Sequence, residues 1–160
     1  MITKIISGGQ TGADQGGLKA AKRYGIETGG HCPKGGLTED GNNQNLMKVF
    51  GLIETTSDKY PARTFENAKN SDGTIRFAHD FNSRGELLTL KAINQYNKPH
   101  IDVNVSANHQ TTPKMVADWI INNKISVLNV AGNRESTCEG LEQFVIEFLR
   151  EVISLTNYGN

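Results

Sequence analysis

Short apolar runs alternate with amphipathic segments along most of this chain, and this alternation limits the folds that it can adopt. Helix-like segments separate most of the strand-like runs, and strands joined in this way form parallel βαβ units. The sequence therefore predicts an α/β fold with a doubly wound, mainly parallel sheet and helices on both faces. The strand-like runs span residues 4–8, 27–32, 51–55, 73–78, 99–105 and 126–132.

The helix near the carboxyl end has the clearest pattern. Its apolar residues recur at the spacing of one helical face, which predicts that this face packs on the sheet. These residues are Leu141, Phe144, Val145, Phe148, Leu149 and Val152. Another helix is predicted to begin where Thr112 can cap it and Pro113 suits its first position. Further helices are predicted within residues 15–25, 58–70 and 84–99.

The composition disfavours several classes of partner. Lys and Arg total 17, as do Asp and Glu, and no basic run suggests a nucleic-acid surface. No stretch approaches the roughly 20 apolar residues of a membrane span, and no secretion signal opens the chain. We therefore expect a cytoplasmic protein without nucleic-acid or membrane partners, forming one domain over residues 1–160. Cys32 and Cys138 form no CxxC pair, which favours free thiols over a disulfide or zinc site.

The segment "SGGQTGAD" connects the first strand to the first helix and is rich in glycine and small polar residues. Glycines permit a tight turn there, and the positive end of the following helix suits an anion such as phosphate. Alternatively, Thr11 or Asp14 merely caps the helix and the glycines allow close packing. The segment matches neither GxGxxG nor GxxxxGK[ST], which disfavours NAD and Walker-type ATP sites. The glycines are Gly8, Gly9 and Gly12, and the polar residues beside them are Ser7, Gln10 and Thr11.

Two further polar loops follow strands. The segment "CPKGGLTEDG" (32–41) provides Lys34 as a cation, followed by Glu39 and Asp40. The segment "NVAGNRES" (129–136) leaves a strand through Gly132 and presents Arg134, whose planar guanidinium suits phosphate or carboxylate. Each loop alone is explained by ordinary turn chemistry. Together they place polar groups at one edge of the predicted sheet, where α/β proteins bind ligands.

Five motifs in this order resemble the molybdenum cofactor carrier-like family, within the Rossmann-like group of lysine-decarboxylase-like and DprA proteins. They are "SGGQTGAD..GL.AA", "G.CPKG...EDG", "R...N...SDGT", "LNVAG.RES" and a final glycine followed by a helix. The resemblance implies a Rossmann-like subunit that self-associates as a homo-oligomer. It also implies a loop edge that binds molybdenum cofactor (molybdopterin) or a related phosphorylated, nucleotide-like ligand, without a structural metal.

The same resemblance implies a set of ligand-binding residues. Two of them, Arg63 and Asn67, are four residues apart and so share one helical face, where they could act on one ligand or form an ordinary surface pair. The full set is Gly8, Gly9, Gln10, Thr11, Gly12, Asp14, Lys34, Gly35, Glu39, Asp40, Arg63, Asn67, Asp72, Gly73, Thr74, Gly132 and Arg134.

The chain also departs from the family pattern. Gly36 stands where relatives have arginine, Asn133 where they have proline, and "SRGELLT" (83–89) where they have a Gly-Gly-Thr loop. Arg84 and Glu86 bring bulk and charge to a helix start that would otherwise suit an anion, which predicts a different ligand. Arg76 is unusual in a strand buried on both faces, and an edge position or a subunit contact would explain it.

Catalysis is the alternative to simple binding. The nucleotide-hydrolysing relatives use a "PGGxGTxxE" loop, which this chain lacks. A nucleotide-processing enzyme, such as an N-glycosidase, would still need a carboxylate near the ribose. The carboxylates available for that role are Asp14, Glu39, Asp40 and Asp72. The residues leave a binding protein, a nucleotide sensor and an enzyme open.

Overall fold

The computed structural model describes residues 1–106 and 110–159 and has a five-stranded parallel sheet at its centre. The strand order is β2-β1-β9-β7-β8. These strands are β1 (Lys4–Ile6), β2 (Glu27–Gly29), β7 (Gly73–Ala78), β8 (His100–Asn104) and β9 (Val127–Gly132). All four pairings in this sheet are parallel, so the predicted α/β fold is confirmed.

Helices cover both faces of the sheet, as a doubly wound fold requires. The first, fifth and sixth helices pack together on one face, and the third and fourth pack together on the other. In chain order they are α1 (Ala13–Arg23), α2 (Gln44–Phe50), α3 (Tyr60–Lys69), α4 (Arg84–Gln95), α5 (Pro113–Asn122) and α6 (Leu141–Ile153), which continues into a π-helical turn (Ser154–Tyr158). No helix of the described residues is long and apolar enough to cross a membrane.

The main core lies between the sheet and the face formed by α1, α5 and α6. Phe77 of β7 is fully buried, and its ring meets those of Phe144 and Phe148 edge-on at centroid distances of 6.4 and 5.4 Å. Buried aromatic rings in this geometry contribute packing energy beyond their apolar area. The predicted apolar stripe of α6 therefore forms part of the core.

Two predicted runs do not lie wholly within the central sheet. After β2 the chain turns at Gly30 (φ +120°), where a Cβ atom would lie only 2.2 Å from the Ser7 carbonyl oxygen. The next strand, β3 (His31–Cys32), pairs with β6 (Ile53–Glu54) in a separate two-stranded sheet. The run 27–32 is thus two strands in two sheets, and the strand within the run 51–55 is β6, outside the central sheet.

A short hairpin and a short helix follow β3, and the sequence pattern missed both. The hairpin pairs β4 (Leu37–Thr38) with β5 (Gly41–Asn42) in antiparallel fashion. Helix α2 is capped by Asn43, whose side chain accepts a hydrogen bond from the Leu46 amide at 2.9 Å. It ends at Gly51, which has left-handed backbone angles (φ +66°). Asn at the start and Gly at the end are signals that could have identified this helix.

Arg76 occupies a central strand, so the expected edge position is wrong. Strand β7 lies between β9 and β8, and only 2% of the Arg76 surface is exposed. Its guanidinium donates to both carboxylate oxygens of Asp102 on β8, at 2.8 and 2.6 Å, and to the Glu86 carbonyl oxygen at 3.0 Å. A buried cation is tolerated here because a paired carboxylate and a carbonyl replace its water.

Candidate functional site

The first loop carries the chain from the end of β1 into α1 and depends on glycine geometry. Gly9 and Gly12 have φ values of +74° and +75°, a region that other residues seldom adopt. A Cβ atom on Gly12 would lie 2.6 Å from the Asn133 carbonyl oxygen in the loop after β9. These glycines therefore let the loops after β1 and β9 come into contact.

The amides of the first loop point largely into the protein. Asp14, 2% exposed, accepts hydrogen bonds from the Gln10 amide at 3.2 Å and from Arg63 Nη1 at 2.9 Å. Ser7 Oγ accepts from the Gly9 amide, and Gln10 Oε1 accepts from the Thr11 amide. Burial raises the pKa of Asp14, and the Arg63 guanidinium opposes this effect. The amides of Gly9, Gln10 and Thr11 thus already have acceptors, which leaves side chains as the main ligand-binding groups.

Tyr60, at the start of α3, brings two arginines together beside this loop. The guanidinium carbons of Arg63 and Arg134 lie 5.7 and 5.8 Å from the centre of the Tyr60 ring. The Gln10 side-chain amide donates to the Tyr60 hydroxyl at 3.2 Å. Arg63 also lies directly over Gly8, where a Cβ atom would come within 1.9 Å of Nη1. Tyr60, Arg63 and Arg134 form what we call the cationic surface.

The second loop contributes Lys34 and Glu39 to the same edge. Lys34 is exposed on a single 3₁₀ turn (Lys34–Gly36), and its amide donates to the Ser57 carbonyl just before α3. The Gly35 amide donates to Glu54 Oε2 at 2.8 Å and so has an acceptor within the protein. Asp40 is exposed to solvent. Lys34 therefore adds a cation near the amino end of α3.

Glu39, at the tip of the β4–β5 hairpin, reaches across to the loops after β1 and β9. Its carboxylate accepts hydrogen bonds from the Thr11 hydroxyl, from the Ser136 hydroxyl and from the Ser136 amide, the last at 3.1 Å. Although burial alone would raise it, hydrogen bonds from Ser136 and Thr11 hold the pKa of Glu39 below its ordinary value. Thr11 and Glu39, both predicted site residues, are thus in direct contact.

Three predicted residues lie at the opposite edge of the sheet, where β7 begins. Asp72 Oδ2 accepts from the amides of Ser126 and Val127 at 3.0 and 2.8 Å. Thr74 is fully buried and its hydroxyl accepts from the Asn129 side chain at 3.1 Å. Gly73 is also buried at this end of β7. Asp72 and Thr74 thus link neighbouring strands by hydrogen bonds. All three residues lie away from the other predicted site residues.

Asn67 and Gly132 have positioning roles. The Asn67 side chain accepts from the His31 amide at 2.7 Å and donates to the His31 carbonyl at 2.9 Å. It shares an inward face of α3 with Arg63, so the two are not an ordinary surface pair, but they bind different groups. Gly132 has φ +150°, and a Cβ atom there would lie 2.0 Å from the Phe77 carbonyl oxygen. Close approach of β9 to β7 therefore requires glycine.

Two residues at this edge, Tyr60 and Ser136, were missed by the sequence pattern, and Glu86 was named only as a departure from the family pattern. Tyr60 is one helical turn before Arg63, and Ser136 belongs to the quoted "RES", so both lie beside recognised residues. Glu86 was expected to bring negative charge to a helix start that would otherwise suit an anion. It is 3% exposed, and burial raises its pKa to about 7 while Arg76 opposes the rise. Its Oε2 atom has no hydrogen-bond donor among the described residues and lies 3.9 Å from Arg76 Nη1.

The fold and this edge define a Rossmann-like protein in which the loops after β1 and β9 meet beside a cationic surface. The chain belongs to the circularly permutated YpsA SLOG family, whose model matches residues 5–153. It is similar to the crystal structure of a "putative molybdenum carrier protein" from Syntrophus aciditrophicus SB, with 34% identity over 95% of each chain and a TM-score of 0.85. No curated protein matches the chain. The resemblance predicted from the motifs is confirmed.

Proposed function

We propose that this protein binds a phosphorylated small molecule, a pterin of the molybdenum cofactor or a related nucleotide-like ligand, without transforming it. The observation that carries the proposal is the placement of the Arg63 and Arg134 guanidinium groups against the Tyr60 ring, beside the first loop. Parallel sheets bind ligands at the carboxyl ends of their strands, where this surface lies. The description of the similar Syntrophus protein as a molybdenum carrier supports this choice of ligand.

Arg134 is the principal phosphate-binding group in this proposal. It is exposed, and a planar guanidinium can bind two phosphate oxygens at once. Arg63 is 15% exposed and already paired with Asp14, so it holds the first loop and adds a partly neutralised positive charge. Lys34 supplies a mobile cation from the second loop.

Any molybdenum would travel as part of the cargo. Within residues 1–106 and 110–159, no group of three or more His, Cys, Asp or Glu side chains could hold a metal ion. Cys32 is a free thiol with 1% of its surface exposed, and burial raises the pKa of this thiol, which disfavours the thiolate that a metal needs. The side chains present thus suit the phosphorylated organic part of such a ligand.

The first experiment identifies what the protein carries. Native mass spectrometry of protein purified without added ligand, followed by denaturation and metal analysis, should show a phosphorylated pterin or nucleotide released from the folded chain. Titration with adenosine monophosphate and inorganic phosphate then tests the surface. Arg134→Ala should weaken binding about tenfold or more, as expected for a charge-assisted phosphate contact.

Arg23→Ala is the matched control for that titration. Arg23 is exposed at the last turn of α1, on the opposite edge of the sheet, and its loss changes the net charge equally. Binding by Arg23→Ala should equal that of the wild type. If Arg134→Ala binds as tightly as Arg23→Ala does, the cationic surface is not the ligand site.

The second candidate function is nucleotide processing, and buried carboxylates near the site favour it. Burial raises the pKa of Asp14, and it raises the pKa of Glu86 to about 7, a value that suits proton transfer at neutral pH. This candidate predicts release of free base or ribose phosphate from nucleoside monophosphates. Asp14→Asn would abolish that release while binding persists, and a protein that never releases base would exclude this candidate.

A further inference from the structure

Glu39 sits in a set of donors that resembles an oxyanion site. Two hydroxyl groups, from Thr11 and Ser136, and the Ser136 amide all donate to its carboxylate, and the positive charge of Arg134 acts on it as well. Carboxylate and phosphoryl oxygens accept the same kinds of donor. The donor set that holds Glu39 is therefore chemically suited to a phosphoryl group.

These donors are positioned by contacts that do not involve Glu39. Thr11 Oγ1 accepts a hydrogen bond from the Glu135 amide at 3.2 Å, which helps to direct the hydroxyl proton toward the carboxylate. The Glu135 side chain in turn accepts from the Gly140 and Glu142 amides at the start of α6. Ser136 is thus held next to a capped helix end. Removal of Glu39 would leave the donors in place.

The hairpin that carries Glu39 is weakly anchored. Its strands, β4 and β5, are two residues each, and within the described part of the chain they pair only with one another. An isolated two-stranded hairpin of this size has little stability of its own. The Glu39 amide donates to Gln10 Oε1 at 2.9 Å, and the same Gln10 side chain donates to the Tyr60 hydroxyl. Gln10 therefore links the hairpin tip to the cationic surface.

We propose that Thr11, Ser136 and Arg134 form an oxyanion site that Glu39 occupies in the ligand-free protein, and that the phosphoryl group of the ligand displaces Glu39. The role of the ligand rests on the proposed function, whereas the donor site does not. A dianionic phosphoryl group carries more charge than one carboxylate, so it interacts more strongly with the hydroxyls and Arg134. Glu39 acts as an internal competitor that closes the site until a phosphorylated ligand arrives.

Binding of inorganic phosphate to Glu39→Ala tests this competition directly. Removing the competitor should tighten phosphate binding about tenfold relative to the wild type, measured by calorimetry. Glu39→Gln keeps the side-chain shape and lacks the charge, so its phosphate affinity should lie between those of Glu39→Ala and the wild type. Glu139→Ala is the control, because Glu139 is exposed and lines the same groove beside Ser136. Its phosphate affinity should rise much less than that of Glu39→Ala, because, in the residues that the structure describes, Glu139 accepts no hydrogen bond from the proposed donors.

Thermal unfolding provides a second readout that does not depend on a natural ligand. Glu39→Ala should lose several degrees in Tm because three donors lose their acceptor, and millimolar phosphate should restore them. Phosphate should raise the Tm of the double variant Glu39→Ala/Ser136→Ala much less, because one hydroxyl donor is gone. Equal stabilisation of the single and double variants would mean that phosphate acts elsewhere.

The two proposals fail in different ways. If Glu39→Ala and Glu39→Gln bind phosphate no more tightly than the wild type, the competitor role is overturned. Glu39 then only holds the hairpin in place or contacts the ligand directly. If these variants gain phosphate binding while adenosine monophosphate and purified cargo never bind the wild type, the oxyanion site stands and the proposed function is wrong.

Discussion

The Glu86 carboxyl group lies in the first turn of α4 with almost no access to water, which makes its ionisation costly. The pKa is about 7 in the folded protein and 4.5 in the unfolded chain. Below pH 4.5 both states are protonated, and the folded protein has its full stability. Between pH 4.5 and 7 the unfolded chain releases a proton that the folded protein keeps, so stability falls as pH rises. Above pH 7 the loss is complete, at about 3 kcal/mol.

Glu86→Gln should remove most of this pH dependence. The neutral amide has no proton to release, so the variant should gain up to about 3 kcal/mol over the wild type between pH 4.5 and 8. Urea unfolding at several pH values measures the difference. Glu139→Gln, at an exposed position, should leave the wild-type dependence unchanged. Parallel curves for Glu86→Gln and the wild type would mean that Glu86 is ionised in the folded protein near pH 5.

At the scale of secondary structure elements, Asn67 determines how the chain leaves the central sheet. Its side chain forms hydrogen bonds with both the amide and the carbonyl of His31. These backbone groups would otherwise be available to pair with a neighbouring strand. Asn67 is 2% exposed, whereas His31 is half-buried, so the buried amide supplies partners where access to water is reduced. A residue on a distant helix thus separates β3 from β2.

Asn67→Ala should destabilise the protein by about 1 to 3 kcal/mol, because it removes both hydrogen-bond partners of the half-buried His31 backbone. Hydrogen exchange should speed up first in β3 and β6, which form only a two-stranded sheet. Asn70→Ala provides the control, since Asn70 is exposed on the same helix end and bonds only to Glu66 among the described residues. Equal effects of the two variants would contradict the role of Asn67.

Local patterns predicted the elements that local chemistry determines. The apolar stripe from Leu141 to Val152 specifies α6 because the spacing of these residues alone defines one apolar helical face. The runs 27–32 and 51–55 were assigned to one sheet because nothing near them in sequence reveals the Asn67 contact. Arg76 was misjudged for the same reason, since its partner Asp102 lies on another strand. Elements were predictable where their causes are local.

At the scale of the whole molecule, the candidate site combines residues from four separate segments. The glycine loop, Lys34 and Arg134 were recognisable because each follows a strand, and the carboxyl ends of parallel strands share one edge. Asp72 precedes its strand and therefore lies at the other edge of the sheet, away from these residues. Tyr60 and Ser136 lie beside recognised residues in the sequence, but their contacts depend on how α3 and the loop after β9 come together. The order of strands and helices therefore predicts which edge of the sheet carries the candidate site. Tertiary packing determines which residues meet there.

The charge distribution makes a prediction at this largest scale. The formal net charge is +0, so long-range attraction of an anionic ligand by the whole protein should be weak. Binding of adenosine monophosphate should instead respond to the local charges of Arg63, Arg134 and Lys34. Its affinity should fall as salt rises from about 0.01 to 1 M, because the screening length shortens from about 30 to 3 Å.

Arg134→Ala and Arg23→Ala carry the same net charge, and they separate local from global effects. The salt dependence of ligand affinity should be clearly shallower for Arg134→Ala, because one local phosphate contact is gone. Arg23→Ala should keep the wild-type dependence, since Arg23 lies at the far edge of the sheet. Equal salt dependence in both variants would show that net charge, rather than the cationic surface around Tyr60, attracts the ligand.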